Sequence, residues 1–403
     1  MRRPHYAWVV CFGTALMLFT VMGLGMNIFS LYQPWIVSQN QFTNAQASLI
    51  VTFRSLFILF GMASGTWICR KLGLRNTAAL SAGLMAAACF LFGQAASLPV
   101  YCSAGMLTGL AYSWGGMIPV SLLISSWFRD RQGFALGVGS IGSGAATILA
   151  PAPLNWLIGH VSLRCAFFAE GAVCLAMALV IWVILRDSPA DLGLEPYTDG
   201  STPVGGPALR PAPADMTRRR WHMVLLSVFL IGPASSLGMS ALGLLYAGEG
   251  FSSQVTAGMI TVIGFSLMVA KPLYGQLVDR LGGRRSNYII YSVTLLGFLL
   301  FLLAPTGSVP LAYLAAVVYG CALPIGCMSL SVWARDCRGD SGFAEGLKWA
   351  QVMFAAGNLV FGPMPGLLAD RFGSYIPTYL LFLAMTAAAM LLLCGAYPKS
   401  EKQ

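Results

Sequence analysis

The sequence predicts an all-α integral membrane protein with twelve transmembrane helices, arranged as two six-helix bundles with pseudo-twofold symmetry. Three observations lead to this fold class. Hydrophobic residues make up 57% of the 403 residues and charged residues 9%, whereas about a quarter of the residues are charged in ordinary soluble domains. Apolar stretches recur at the length that a bilayer requires, about 20 residues for a hydrocarbon core of roughly 30 Å. Motifs of the first half of the chain also return in the second half.

Twelve apolar stretches are long enough to cross a membrane. The 45 glycines and 21 prolines are compatible with helices here, because membrane helices tolerate both where neighbouring helices or polar side chains satisfy the freed backbone groups. The stretch after Arg2 and Arg3 is too long for a signal peptide and lacks a small-residue cleavage site, so it is predicted as the first span. In chain order the predicted spans are 8–30, 46–67, 76–96, 100–127, 133–158, 162–185, 221–247, 254–279, 286–304, 310–333, 341–368 and 375–397.

The distribution of the 24 Lys and Arg residues predicts the topology. With the N-terminus inside, 19 of them lie in cytoplasmic segments, two (Arg164 and Arg371) lie outside, and three (Arg54, Lys271 and Lys348) lie within spans. Because this distribution follows the positive-inside rule, both termini are predicted to be cytoplasmic. The formal charge of +10 is thereby explained by topology, and no nucleic-acid partner is expected.

Several kinds of site are not indicated. The ten cysteines lie mostly inside predicted spans, without a Cys-x-x-Cys pair or clustered histidines, so neither a metal site nor a disulfide framework is expected. A nucleophile–base pair and a phosphate-binding loop are also missing, so the sequence predicts no enzyme and no cofactor. Nothing in the sequence demands more than a monomer.

Short motifs repeat at a nearly constant offset. WFRDRQG returns as WARDCRG 206 residues later, RKLGLR returns as DRLGGR 209 residues later, and two Pro-x-Pro stretches lie 212 residues apart. Three matches near one spacing indicate a six-helix unit that is used twice. The predicted domains are 1–187 and 221–403, joined by a polar cytoplasmic linker, 188–220. The arginine triplet at 218–220 is an orientation anchor for the seventh span or a contact with anionic lipid.

The basic, glycine-containing turns after the second and eighth spans resemble those of the major facilitator superfamily, as does the six-plus-six organisation. GQLVDRLGGRR is similar to the loop signature of that superfamily. The resemblance implies alternating access around a midplane site, with Asp279, Arg280 and Arg284 as gating contacts at the cytoplasmic helix ends. In the first half, GTWICRKLGLR carries Cys69 or Arg70 where the family has aspartate.

Three stretches resemble the monocarboxylate porter and oxalate:formate antiporter branch of that superfamily, in its bacterial form, which implies a location in a bacterial cytoplasmic (inner) membrane. They are SSWFRDRQGFALGVGSIGSG at 125–144, SPADLGLEPYTDG at 188–200 and MVAKPLYG at 268–275. In this branch an eighth-span arginine binds the substrate carboxylate, and its position corresponds to Lys271. Lysine keeps the charge but loses the planar fork that grips a carboxylate through two hydrogen bonds. Arg129, in the first of these stretches, is a further gating candidate.

Two cations within predicted spans are the main substrate-binding candidates. Lys271 interrupts the apolar run TVIGFSLMVAKPLY, and a lysine at a helix centre costs about 2.5–3.5 kcal/mol to insert, so such residues usually face a water-filled path. The alternative is that its ammonium bonds backbone carbonyls beside Pro272. Arg54 is predicted to hold a second carboxylate or to add positive charge to the path, or else to extend to the outer headgroups.

Polar and aromatic residues of other spans are weaker substrate-binding candidates. Asn27, Tyr32, Tyr112 and Tyr319 are predicted to line the path, where hydroxyls and ring edges orient a small ligand. Each of these residue types also serves in the packing of membrane helices.

Two further expectations concern gating and protons. Glu345 and Lys348 are gating candidates, and their helical spacing permits an ion pair. Glu170 is the carboxylate well inside a predicted span, and it is either a proton site or a structural partner of Arg164.

The sequence as a whole predicts a secondary transporter of a small organic anion, a mono- or dicarboxylate, working by anion exchange or by proton-coupled symport. Its expected partners are the anion, protons and membrane lipid. One alternative is efflux of amphipathic, drug-like compounds, because the 19 Met and 23 Phe residues are suited to an adaptable apolar cavity. Another is a membrane anion sensor that transports nothing.

Overall fold

The computed structural model describes residues 5–129, 132–198, 211 and 213–398. Twelve helical segments in this part of the chain are long and apolar enough to cross a membrane, which confirms the predicted all-α fold with twelve spans. The first half of the chain contains α1 (Ala7–Leu18), α2 (Phe29–Asn40), α3 (Asn44–Leu72), α4 (Leu74–Gln94), α5 (Leu98–Gly115), α6 (Met117–Trp127), α7 (Gln132–Leu149), α8 (Pro151–His160) and α9 (Leu163–Ile184).

The second half repeats this pattern with longer continuous helices. Its helices are α10 (Arg218–Ser240), α11 (Leu242–Gly248), α12 (Ser253–Phe301), α13 (Val309–Ala322), α14 (Met328–Phe361), α15 (Met364–Phe372) and α16 (Ile376–Ala396). Gly282 in α12 and Gly339 in α14 depart from helical dihedral angles, so each of these long helices contains a sharp bend between two spans.

The first span is longer than the predicted 8–30. It continues from α1 through a π-helical stretch, Phe19–Asn27, into α2 and ends at Asn40. Tyr32 and Gln33 are both buried in this extension. Because these polar side chains face protein rather than lipid, hydropathy alone underestimates the length of the helix.

The helices form two compact units. Unit 1 consists of Met1–Phe29 and Leu56–Pro207, and unit 2 consists of Ser30–Ser55 and Ala208–Gln403. Residues 30–55 come from the first half of the sequence but pack against second-half helices. Gly243 lies against the Ser30 carbonyl and Gly366 lies against the Asn44 carbonyl, so closely that a side chain at either glycine would overlap them.

Part of the segment predicted as a linker packs on unit 1. The Tyr197 amide donates to the Trp127 carbonyl (2.8 Å), and the Arg129 amide donates to the Tyr197 carbonyl (2.9 Å). The Tyr197 ring contacts Phe128, which belongs to the apolar core of the unit, and Trp8, which packs against that core. Residues 186–197 therefore cover the end of α6 and are fixed to it by backbone and aromatic contacts.

The turns between paired helices reproduce the sequence repeat. Gly73, between α3 and α4, has φ 82° and ψ 162°, and Gly282 has φ 76° and ψ 160°. This backbone conformation is essentially restricted to glycine. In unit 1 the Asp187 carboxylate accepts a hydrogen bond from the Arg75 amide (2.6 Å) at the start of α4. An acid from outside the turn therefore lies where the first-half motif has none.

Aromatic rings fill the interior of unit 2. They form a continuous cluster in which ring centroids are 5.0–6.5 Å apart. Such spacing is typical of edge-to-face and tilted pairs. The cluster joins α11, α12, α13 and α16 through Tyr246, Phe298, Phe301, Tyr319, Tyr379 and Phe382.

Candidate functional site

Lys271 is buried within the eighth span. It lies on α12 in the segment Ser253–Val278, and 5% of its surface is exposed. The next residue, Pro272, is inside the helix and has no amide hydrogen, so it removes one backbone hydrogen bond from this turn. A buried ammonium needs compensation from a charge or from hydrogen bonds. The position therefore has the burial expected of a functional cation.

A cysteine and a hydrogen-bonded pair of hydroxyls belong to the same part of unit 2 as this lysine. Tyr274 follows Lys271 by one helical turn, and its hydroxyl accepts a hydrogen bond from Ser329 (2.8 Å). Cys327, which precedes α14, lies close enough to Lys271 for an electrostatic interaction. We call Lys271, Tyr274, Cys327 and Ser329 the lysine patch. A buried ammonium can receive a carboxylate through charge-assisted hydrogen bonds.

Arg54 forms a second buried cationic position in unit 2. Its side chain is 3% exposed, so it does not extend to the outer headgroups. The Nη2 atom donates to Ser240 Oγ (2.9 Å), which joins α3 to the last residue of α10. Ser240 was not singled out from the sequence, and a serine near the end of an apolar helix gives no signal by itself.

Other buried polar groups of unit 2 have hydrogen-bonding capacity left over. Among the described residues, Gln33 Oε1, Tyr246 Oη and Asn358 Oδ1 are buried atoms without a hydrogen-bond partner. Buried polar atoms are normally satisfied by protein, water or ligand. Each of these atoms therefore keeps the capacity for a further hydrogen bond.

The aromatic candidates of unit 2 are both deeply buried. Tyr32 lies on α2 in the extension of the first span. The Tyr319 hydroxyl donates to the Ser235 carbonyl (2.8 Å), and its ring packs on Phe298 and Phe301. These contacts give Tyr319 a packing role, and its part in substrate binding stays a prediction.

The remaining path candidates lie in unit 1. Asn27 Nδ2 donates to Thr147 Oγ1 (3.0 Å), which joins the π-helical stretch to α7. Tyr112 is half-buried on α5. Glu170 is buried on α9 beside the thiol of Cys89. Their predicted roles in the path and in proton transfer remain predictions.

The predicted gating residues lie just after α6, around the bend of α12 at Gly282 and after the bend of α14 at Gly339. Arg129 and Arg280 have exposed side chains, and Arg284 is half-buried near Cys394. The Asp279 side chain lies outside the described residues. Glu345 is 3.8 Å from Arg338, while the Lys348 ammonium lies 5.9 Å from the ring centre of Trp349. The acid that the sequence pairs with Lys348 thus has an arginine partner in the structure.

A contact that the sequence did not predict joins the starts of α3 and α16 to α15. The Asp370 carboxylate accepts hydrogen bonds from the amides of Asn44 (3.0 Å) and Ala45 (2.8 Å). The Tyr375 hydroxyl donates to Asn44 Oδ1 (3.0 Å). Burial, followed by the Asp370 charge, raises the pKa of Tyr375 above its ordinary value, so the hydroxyl stays protonated. We call this group the α3 cap.

The sequence allows one of the two sets of contacts at the start of α3 to be predicted. Thr43 and Gln46 form a reciprocal capping box at the start of α3, with backbone-to-side-chain distances of 2.9 and 3.2 Å, and such a pair is recognisable in a sequence. The hydrogen bonds from the first amides of α3 to Asp370 could not be predicted, because Asp370 is 326 residues from Asn44.

Comparisons with known proteins agree on the type of protein. A sequence profile of the Major Facilitator Superfamily matches residues 14–347. Monocarboxylate transporter 12-B of Danio rerio is 26% identical over 359 residues, covering 81% of this chain and 74% of that protein. Multidrug resistance protein MdtG of Salmonella paratyphi C (strain RKS4594) is 26% identical over 335 residues, covering 80% of this chain and 78% of that protein.

Solved structures share the fold at low sequence identity. The nucleoside transporter NupG superposes with a TM-score of 0.71 at 13% identity, covering 98% of this chain and 99% of its own. The D-xylose-proton symporter gives a TM-score of 0.67 at 13% identity, covering 96% of each chain. At this identity the likeness establishes the fold and leaves the substrate open.

Proposed function

Because the chain belongs to the Major Facilitator Superfamily, we propose that it is a secondary active transporter of a small organic anion, a mono- or dicarboxylate. Members of this family are transporters that work by alternating access, and they are not enzymes. The protein is accordingly a multi-pass membrane protein that carries a small molecule. We propose that the substrate is an anion, that its transport is coupled to a second anion or to protons, and that both termini are cytoplasmic.

The burial of Lys271 is the observation that carries the anion proposal. Its side chain is buried within a membrane span, and Tyr274, one helical turn later on α12, accepts a hydrogen bond from Ser329 in the lysine patch. Placing a cation within a membrane span costs free energy, so such a residue usually marks a functional site. A carboxylate substrate would neutralise the charge and accept hydrogen bonds from the same groups. Arg54 is the second cation that a dicarboxylate would use.

The named relatives support two substrate classes. Similarity to monocarboxylate transporter 12-B favours a carboxylate, and it agrees with the lysine at the position where that branch has its substrate-binding arginine. Similarity to MdtG favours the second candidate function, efflux of drug-like compounds. We prefer the carboxylate because a fixed buried cation selects anions, whereas a cavity for many drugs relies on adaptable apolar contacts.

The coupling is proposed to be anion exchange or proton symport. Glu170 is the candidate proton site, because it is a buried carboxylate of unit 1 next to Cys89. The charge distribution supports an orientation with both termini in the cytoplasm, and the similarity to a bacterial relative supports the inner membrane of a bacterium.

Counterflow in proteoliposomes tests the proposed substrate class. Vesicles with the purified protein are loaded with an unlabelled mono- or dicarboxylate, and uptake of a labelled monocarboxylate is followed. We expect internal carboxylates to accelerate uptake, and we expect amides of the same size to have no effect, because they lack the charge. Acceleration by neutral or cationic amphipaths alone would contradict the anion proposal and support efflux. An imposed pH gradient separates symport from exchange.

The α3 cap supports a mechanism in which this contact opens and closes. Both sides of this contact lie in unit 2, but by the predicted domain bounds residues 44–52 belong to the first bundle and residues 362–370 to the second. Rocking of the predicted bundles would therefore separate them in one access state. A carboxylate at a helix start contributes about 0.3–1 kcal/mol, and up to about 2 kcal/mol when partly buried. The cap therefore favours the state in which α3 and α15 are together.

We expect Asp370→Asn to weaken the α3 cap and to populate the opened state. The buried side chain of Ser48 provides the reporter, as Ser48→Cys labelled with a membrane-impermeant maleimide and corrected for the parent protein. Labelling should rise about two- to thirtyfold with the loss of about 0.5–2 kcal/mol. Asp215→Asn, which removes an acid at the start of α10, is the matched control. Equal labelling of Ser48→Cys with and without Asp370→Asn would show that the cap does not hold the contact.

A further inference from the structure

A cavity of about 440 Å³ opens at one end of unit 2, between the start of α10 and the bend of α14. Its lining includes Arg218, His222, Arg338 and Glu345, together with Trp221 and Trp349. The volume lies within the range of roughly 300–1,000 Å³ that ligand sites occupy. Neither the lysine patch nor the α3 cap contributes a residue to it. The proposed binding and gating of the substrate anion therefore do not account for this cavity.

The charges of the cavity favour an anion. Two arginines face one glutamate, and the distance of 3.8 Å between Arg338 and Glu345 exceeds that of a strong charge-assisted hydrogen bond. Glu345 is also 66% exposed, so solvent screens its charge. The Arg338 guanidinium lies over the ring of Trp221, 5.6 Å from the ring centre. Stacking orients the guanidinium, and its N–H donors remain able to grip a phosphate through two hydrogen bonds.

The position of the cavity favours a lipid as the source of that phosphate. It lies where the spans Arg218–Ser240 and Val309–Gly339 end, on the side that the positive-inside distribution assigns to the cytoplasm. Trp349 is 45% exposed, and the Lys348 ammonium lies beside its ring. Tryptophan is enriched at the membrane–water interface, and basic pockets between spans on the cytoplasmic side bind anionic headgroups.

The cavity also spans a bend in the chain. Arg338 precedes Gly339, whose φ of 67° and ψ of −179° interrupt α14, and Glu345 and Trp349 follow it. A ligand that contacts residues on both sides of Gly339 binds most tightly at one particular bend angle of α14. Occupancy would therefore stabilise the arrangement of α10 and α14 that the structure has.

We propose that this cavity binds the phosphate group of an anionic phospholipid, with Arg218 and Arg338 as its ligands and with Trp349 and Lys348 at the membrane edge. The site is separate from the proposed anion path. Its occupancy stabilises unit 2 at the bend of α14.

Thermal stability of the purified full-length protein, titrated with lipid in detergent, tests this site. Phosphatidylglycerol should raise the melting temperature saturably, and phosphatidylcholine should raise it far less, because a ligand that binds only the folded state stabilises it. Arg218→Gln with Arg338→Gln should weaken the apparent affinity at least tenfold. Arg70→Gln with Arg285→Gln removes the same charge from exposed residues outside the cavity and outside the arginine triplet, and it should leave the affinity unchanged.

Three results would overturn the proposal. One is an equal response of the two double variants, which would mean that general charge attracts the lipid. Another is equal stabilisation by phosphatidylcholine. The third is full stabilisation by inorganic phosphate alone, which would make the ligand a soluble anion. If the cavity variant does not fold, native mass spectrometry of the parent protein decides the matter, because the proposal requires retained phosphatidylglycerol that inorganic phosphate does not displace.

Discussion

Replacement of Lys271 by glutamine is expected to abolish carboxylate counterflow. The substitution keeps the approximate length and polarity of the side chain but removes the buried positive charge of the lysine patch. Loss of one partner from a desolvated charge pair costs about 2–5 kcal/mol, which corresponds to a fall in kcat/KM of about thirtyfold or more. Lys271→Arg keeps the charge and should retain part of the activity. Initial rates of counterflow measure both.

The control for this variant is Lys71→Gln. Lys71 is exposed and its ammonium lies 4.9 Å from the ring centre of Trp67, so its loss removes a surface charge outside the proposed site. We expect near-normal counterflow. Full activity of Lys271→Gln would remove Lys271 from the substrate site, and equal loss in both lysine variants would indicate a general effect of charge.

Replacement of Arg54 by glutamine is expected to have the second largest effect. The guanidinium is buried and donates to Ser240 across α3 and α10. If Arg54 holds a second carboxylate, Arg54→Gln should lower dicarboxylate transport about tenfold more than monocarboxylate transport, since one charge-assisted contact contributes about 1.5–3 kcal/mol. Competition between labelled mono- and dicarboxylates measures this selectivity.

Ser240→Ala provides the companion to the Arg54 variant. It removes the oxygen that accepts from Nη2 and leaves the positive charge in place. We therefore expect a smaller loss of transport than in Arg54→Gln, with the selectivity between mono- and dicarboxylates retained. An equal fall for both substrates in Arg54→Gln and in Ser240→Ala would assign the pair to the packing of α3 against α10.

Local properties of the sequence predicted the membrane fold. The length of apolar stretches gave the twelve spans, and the repeat of the basic turns anticipated the shared conformation of Gly73 and Gly282. Both signals lie within short windows, because a helix must cover the bilayer and a turn must adopt a dihedral angle that its residue allows. Burial of Lys271 also followed from the apolar run around it.

Partners distant in the chain could not be predicted in the same way. Ser240 meets Arg54 from 186 residues away, and Asp187 meets the Arg75 amide from 112 residues away. Nothing in the local sequence of a serine or an aspartate identifies which helix it will contact, because that choice depends on the packing of the whole unit. Hydropathy likewise could not show that Gln33 is buried against protein, which is why the first span was predicted too short.

Equilibrium binding decides whether the charge of Lys271 interacts with the charge of the substrate. Calorimetry on the purified protein compares a carboxylate with its uncharged amide, in the parent and in Lys271→Gln. We predict that the parent binds the carboxylate much more tightly than the amide and that the glutamine variant loses this preference, because removing either charge removes the same interaction. Retention of the full preference for the carboxylate in Lys271→Gln would show that Lys271 does not bind the substrate carboxylate.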